Sequence, residues 1–257
     1  IIEEAFERRA DITPRNVDTL RKAVFEPPPF TPVRANSSTL HFESWLRASN
    51  PGLSGNVRTC ISGNLNEQIT RIVNSELLFL ERYDTENAAG VALDLTAEDR
   101  LPLAAMVGSR NFSGSIDGQV NVSLASRQPG SSFKPYTYLT AFESGAFAPS
   151  SMAMDVRTVF PDPGNPPYTP ENYDRKYHGP QTLRRGIERS RNVMTVRPAK
   201  DIGMPLVTEY AEMFGVYDDL KPLLAMALGA GETTDMRMTA AYATIANGGR
   251  RITPTLI

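Results

Sequence analysis

The stretch RQPGSSFKPYTY, Arg127 to Tyr138, joins a Pro-Gly break to two serines, a lysine and an aromatic run. Beyond Gly130 the residues Phe133, Tyr136, Leu139 and Phe142 recur at three-residue steps until Gly145, which predicts a helix with one buried stripe. Ser131 then lies in the first turn, and Lys134, three residues on, shares its face. A hydroxyl and an amine so placed make a nucleophile and its base without histidine. An ordinary lysine ionises near 10.4, so basic action at neutral pH requires lowering that by about 3, or roughly 4 kcal/mol. Burial and the positive end of the helix dipole both push that way, and the same N-terminal amides suit an oxyanion. A serine at a helix start is more often a cap and a lysine one turn later more often solvated, so S-x-x-K needs support from elsewhere.

Outward from this stretch, the chain reads as globular. Its 257 residues suffice for one large domain or two small ones, with 40% hydrophobic and 22% charged residues. Lys+Arg 27 against Asp+Glu 29 gives no basic surplus, which argues against nucleic acid as a partner. The single cysteine, Cys60, excludes an internal disulfide and a cysteine-rich zinc site. No window reaches the roughly 20 apolar residues that span a bilayer, and no signal peptide opens the chain. Starting at Ile1 and stopping at Ile257 after the turn Asn247-Gly248-Gly249, the sequence is expected to be a piece of a longer protein.

Helices are predicted over Ile1 to Arg9 and Pro14 to Phe25, the second capped by Thr13 and stopped by Pro27-Pro28-Pro29. Phe30 to about Ser54 lacks periodicity and reads as a linker or irregular crossing. Ile69, Ile72, Val73, Leu77 and Leu80 mark a helix over Asn64 to Tyr83. A hairpin follows, AAGVALDLT and LPLAAMVG, turning at Ala97 to Arg100. Phe160 to Pro170 is a proline-rich loop. Further helices are expected over Leu183 to Val196, Leu206 to Phe214 and Met236 to Ala246. This is an α+β pattern with chemistry at a helix start.

S-x-x-K followed by S-x-N and later K-T-G marks penicillin-binding proteins and serine β-lactamases. The wording RQPGSSFKP, YTPENYDRKYHGP, SRNV, and ALGAGETT with AAYATIANGG resembles the transpeptidase domain of a class A, bifunctional penicillin-binding protein, nearest the 1C type, from about Val57 to Ile257. The resemblance implies the penicillin-binding protein/serine β-lactamase-like fold, an antiparallel sheet flanked by helices. S-x-N occurs at Ser54, Ser62, Ser109 and Ser190, and of these only Ser190 follows the candidate nucleophile. By that match Ser131 attacks the carbonyl between two terminal D-alanines of a peptidoglycan stem peptide and Lys134 takes its proton. Ser190 relays a proton to the leaving group, and Asn192 holds Lys134 and the substrate amide.

Glycan strands with their stem peptides, and β-lactam antibiotics that imitate D-alanyl-D-alanine, are the implied partners. No metal or organic cofactor is implied. The K-T-G motif is absent, since no lysine here precedes Thr-Gly or Ser-Gly. In the family it lies beyond the NGG turn, binds the substrate carboxylate and supplies the second oxyanion amide, so residues 1–257 alone are expected to hold an incomplete pocket. Residues 1–29, with ADITP before their last helix, resemble the tail of a glycosyltransferase domain, 30–56 a linker and 57–257 part of the transpeptidase domain. The family context implies a missing N-terminal anchor in the bacterial inner membrane, with the catalytic domains facing the periplasm.

Three other readings share these motifs: a β-lactamase or D,D-carboxypeptidase that delivers water to the ester, a penicillin-binding sensor or scaffold, and an inactive relic. With only His41 and His178, and neither H-E-x-x-H nor G-x-S-x-G, a zinc hydrolase and a serine-histidine triad lack their parts. His178 is read as structural or rim-lining, the glycines of ALGAGE as helix packing, and Cys60 as a small buried side chain.

Overall fold

The computed structural model describes residues 38–97, 99–112, 116–162 and 164–257. The expected helices within residues 1–29 lie outside these. The chain forms two compact units, one holding 38–124 with Ile252–Ile257 and the other Ala125–Arg251.

In the first unit, helix α1 covers Leu40–Ser49 and α2 covers Gly63–Leu80. Ser62 caps α2 by accepting from the Leu65 N–H, so this copy of S-x-N is a helix cap. The hairpin pairs β1 (Gly90–Leu93) antiparallel with β2 (Leu101–Val107). Pro254–Thr255, which ends the element series as β5, pairs parallel with the start of β2, so the sheet is antiparallel through its hairpin and mixed at its short third strand. Beyond that short pairing the edge of β2 is closed by α2 and its cap. The Ser62 N–H donates to Ala104 O at 2.8 Å, and the Met106 N–H donates to Asn66 Oδ1 at 2.7 Å. Asn66, Leu103, Ala105 and Met106 are all fully buried.

Helix α1 is a departure from the irregular stretch expected between Phe30 and Ser54. Its buried side chains are His41, Phe42 and Leu46, too few to show a helical period. The imidazole of His41 bonds Ser109 at 2.8 Å just past the end of β2, and burial lowers its pKa. That gives the Ser109-Arg110-Asn111 copy of S-x-N a structural part. Cys60 is partly rather than fully buried.

The second unit is built on α3 (Lys134–Glu143), which follows a 3₁₀ turn at Gly130–Phe133. Phe133 and Tyr136 lie in a core with Val193, Val196, Val207 and Ala211, contributed by α5 (Asn192–Ile202) and α6 (Met204–Met213). A two-stranded antiparallel ribbon, β3 (Met152–Asp155) with β4 (Gly179–Thr182), leads into α4 (Leu183–Glu188), and α7 covers Asp235–Ala246. The single helix expected over Leu183 to Val196 is two helices. The break falls at Ser190, whose φ of 52° is left-handed, so the expectation that Ser190 sits within a helix is corrected. Such a residue cannot continue a right-handed helix, and apolar spacing on either side does not reveal it.

Replacing Asn66 with alanine removes the acceptor for the buried Met106 N–H. The expected cost is about 1–3 kcal/mol, read as a lowered unfolding free energy in denaturant titration.

Candidate active site

The turn that carries Ser131 is held from behind. Arg127 and Thr233 exchange both backbone hydrogen bonds, at 2.7 and 2.9 Å, and the Gly130 N–H donates to Gly229 O at 3.1 Å. Gly229 has φ 78°, and a Cβ there would lie 2.2 Å from Gly130 O, so the ALGAGE glycine is required by close backbone approach. The Tyr242 hydroxyl donates to Ser132 O at 2.7 Å, and Phe133 is wholly buried. Ser131 is thereby left exposed on a rigid turn, directly ahead of α3.

Lys134, in contrast, is 2% exposed. Its Nζ donates to Ser190 O at 2.6 Å, Ser190 Oγ at 2.9 Å and Asn192 Oδ1 at 2.5 Å. Three oxygens around one nitrogen match the three N–H bonds of an ammonium. Burial lowers the Lys134 pKa to about 8. The left-handed turn at Ser190 lets that residue present its carbonyl and its hydroxyl to the same amine. Asn192 opens α5, and its Nδ2 donates to Glu171 O at 2.6 Å, which fixes Oδ1 toward Lys134.

Ser131, Ser190 and Asn192 line one cleft of about 460 Å³ together with Tyr173, Asp174, Arg189 and Arg191. Four expected site residues therefore converge, with one difference in detail. The amine bonds Ser190 and Asn192 but not Ser131 Oγ. An ammonium whose three protons are committed has no lone pair with which to accept from the serine.

On the cleft wall, Arg191 donates to Asp174 Oδ2 at 2.7 Å and His178 bonds the same oxygen at 3.0 Å. The Arg191 guanidinium, with the Lys176 N–H, holds the Asp174 carboxyl well below the usual carboxylate range. His178 thus belongs to the frame of the cleft. The sequence reading missed Asp155 and gave no role to Asn172 or Tyr242, and Gly229, read as helix packing, instead meets the Gly130 backbone. Asn172 stood within YTPENYDRKYHGP, but nothing local links it to Asp155.

The family described as penicillin binding protein transpeptidase domain matches residues 103–257. The chain belongs to that family. Penicillin-binding protein 1A of Rickettsia conorii is 40% identical over 154 residues, covering 60% of this chain and 19% of that protein. Penicillin-binding protein 1A of Neisseria lactamica is 37% identical over 156 residues, with the same two coverages, 60% and 19%. The chain therefore spans about a fifth of the length of these relatives. Their names place the resemblance at class A and with the 1A type, rather than specifically with the 1C type.

Among solved structures, penicillin-binding protein 1A from Haemophilus influenzae aligns with TM-score 0.60 and 32% identity over 66% of this chain and 25% of that one. PonA1 from Mycobacterium tuberculosis aligns with TM-score 0.64 and 17% identity over 86% of this chain and 60% of that one, a likeness of fold.

Ser190→Gly and Ser190→Ala both remove the hydroxyl, but only glycine accepts φ 52° without a Cβ penalty. The glycine variant is expected to be the more stable by about 1 kcal/mol in thermal or denaturant unfolding, with both equally impaired in the acylation assay described below.

Proposed function

We propose that this domain is a D,D-transpeptidase that cross-links peptidoglycan through an ester on Ser131. The observation that carries the reading is the desolvated amine of Lys134, clamped by Ser190 and Asn192 in the cleft onto which Ser131 opens. Of the three oxygens on Lys134 only Ser190 Oγ bears a proton of its own. When the ammonium deprotonates, its two remaining N–H bonds serve Ser190 O and Asn192 Oδ1, and the lone pair becomes free for a hydroxyl proton.

In acylation the Ser131 Oγ–H bond breaks, its proton passes to Lys134, and Oγ bonds the carbonyl carbon of the penultimate D-alanine. The Ser131 N–H stabilises the oxyanion, together with the second amide that the resemblance assigns to the K-T-G strand. The C–N bond then breaks, and terminal D-alanine departs with a proton delivered through Ser190. The amine of a second stem peptide then attacks the ester carbonyl carbon, the C–Oγ bond breaks, and the proton lost by the amine returns to Ser131 Oγ by way of Lys134. A β-lactam enters the same first step and stays attached.

The resemblance supports placing this domain in a bifunctional class A enzyme. In that placement residues 1–29 end a glycosyltransferase domain, 30–56 connect it, and an anchor elsewhere in the protein holds the catalytic domains on the periplasmic side of the inner membrane. Among the described residues no helix is long and apolar enough to cross a membrane.

The test is to incubate the full-length protein with a labelled penicillin and map the adduct by peptide mass. Label on Ser131, lost in Ser131→Ala, is expected; label on another residue, or undiminished label in the variant, refutes the assignment. The neutral fraction of Lys134 grows as pH rises through its pKa of about 8. The acylation rate is therefore expected to climb with a midpoint near pH 8, from about a tenth of its maximum at pH 7 to about nine-tenths at pH 9. A rate flat across that interval contradicts the role given to the amine.

A further inference from the structure

The segment Glu171 to His178 carries part of the family resemblance, yet none of its residues takes part in the acyl transfer described above. Asn172 is 3% exposed and Asp155, the last residue of β3, is fully buried. The Asn172 Nδ2 group donates to both carboxylate oxygens of Asp155, at 2.8 and 3.0 Å, and to Lys176 O at 2.8 Å. Asp155 Oδ2 also accepts from the His178 N–H at 3.1 Å. A buried carboxylate is tolerated only when its lone pairs are filled, and charge-assisted bonds of this kind are the stronger ones. The carboxylate therefore fixes the Asn172 side chain in one orientation.

That orientation points Asn172 Oδ1 at the N–H of Asn192, 2.8 Å away. This N–H belongs to the first residue of α5 and has no acceptor within its own helix. The neighbouring residue, Glu171, receives the Asn192 side-chain amide. Two consecutive residues thus hold the backbone and the side chain of Asn192, whose remaining oxygen bonds Lys134.

We propose that Asn172, seated on the buried carboxylate of Asp155, is the positioning residue for Asn192 and, through it, for the amine of Lys134. This rests on the acyl-transfer reading of Lys134 and Asn192 given above. Without Asn172 the start of α5 loses its outside acceptor, the backbone of Asn192 is released to shift, and the oxygen that Asn192 presents to Lys134 shifts with it. A displacement of about 1 Å at a reacting centre costs up to about 100-fold in rate.

The test uses the full-length protein and a labelled penicillin, resolving the saturating acylation rate k2, the half-saturating concentration and the final fraction labelled. Asn172→Ala is expected to lower k2 by about 10- to 100-fold with an unchanged fraction labelled. The exchange pair Asp155→Asn with Asn172→Asp rebuilds an amide facing a carboxylate and leaves an acceptor for the Asn192 N–H. It is expected to recover k2 above that of Asn172→Asp alone, a comparison that still decides the matter where the alanine variant does not fold. A merely structural Asn172 removes a fraction of the molecules and leaves k2 of the rest at its original value, and that result overturns the proposal. So does an exchange pair no faster than Asn172→Asp. Failure of the unmodified protein to label at Ser131 refutes the acyl-transfer reading itself, whereas normal labelling with k2 unchanged in Asn172→Ala refutes only the positioning role.

Discussion

A lysine side chain taken almost wholly out of water and given three oxygens in return is the constraint on which this unit depends. Burial alone disfavours an ammonium, while three acceptors within hydrogen-bond reach restore much of what is lost. The balance leaves an amine whose pKa is lowered to about 8. Moving either term spoils the device: more burial without oxygens leaves an unsatisfied amine, and more water returns an ordinary lysine. The same oxygens come from Ser190 at one helix break and Asn192 just beyond it, so the local backbone and the surroundings of the amine are set together.

The architecture supplies that environment by fixing two short segments against α3. One is the Ser131 turn, braced by Gly229, Tyr242 and the Arg127–Thr233 pairing. The other is Ser190 to Asn192, which would be free to fray as a helix junction were it not tied to Glu171, Asn172 and Asp174. The apolar core of Phe133, Tyr136, Val193 and Val196 packs together the helices that adjoin these two segments. Packing therefore brings Ser131 and Ser190 to the same cleft, and the polar ties fix their backbones.

Much of this was legible because it is local. Three-residue apolar spacing after Gly130 marks α3, alternation and a turn mark the β1–β2 hairpin, and S-x-x-K with S-x-N names Ser131, Ser190 and Asn192, which line one cleft, and the buried Lys134 bonded to two of them. What escaped depends on contacts far apart in the chain or on backbone conformation. Asp155, at the end of β3, meets Asn172 in the loop that leads to β4, and no sequence pattern pairs them. Ser190 adopts a left-handed φ with no glycine to announce it, so apolar residues before and after it read as one helix. Helix α1 buries only His41, Phe42 and Leu46, and the prolines and serines before it mask the signal. Lys134 shares a helix face with Ser131 yet spends its hydrogen bonds on Ser190 and Asn192, partners 56 and 58 residues away that local spacing does not reveal.

The most direct measurement is the ionisation of Lys134 itself. Full-length protein carrying ¹³Cε-labelled lysine, with the Lys134 resonance assigned by its loss in Lys134→Arg, is titrated by NMR. The account predicts a midpoint near 8 for that one resonance. A midpoint at the ordinary lysine value of about 10.4 contradicts it, because the amine then stays charged and cannot take the serine proton at any pH where the protein works.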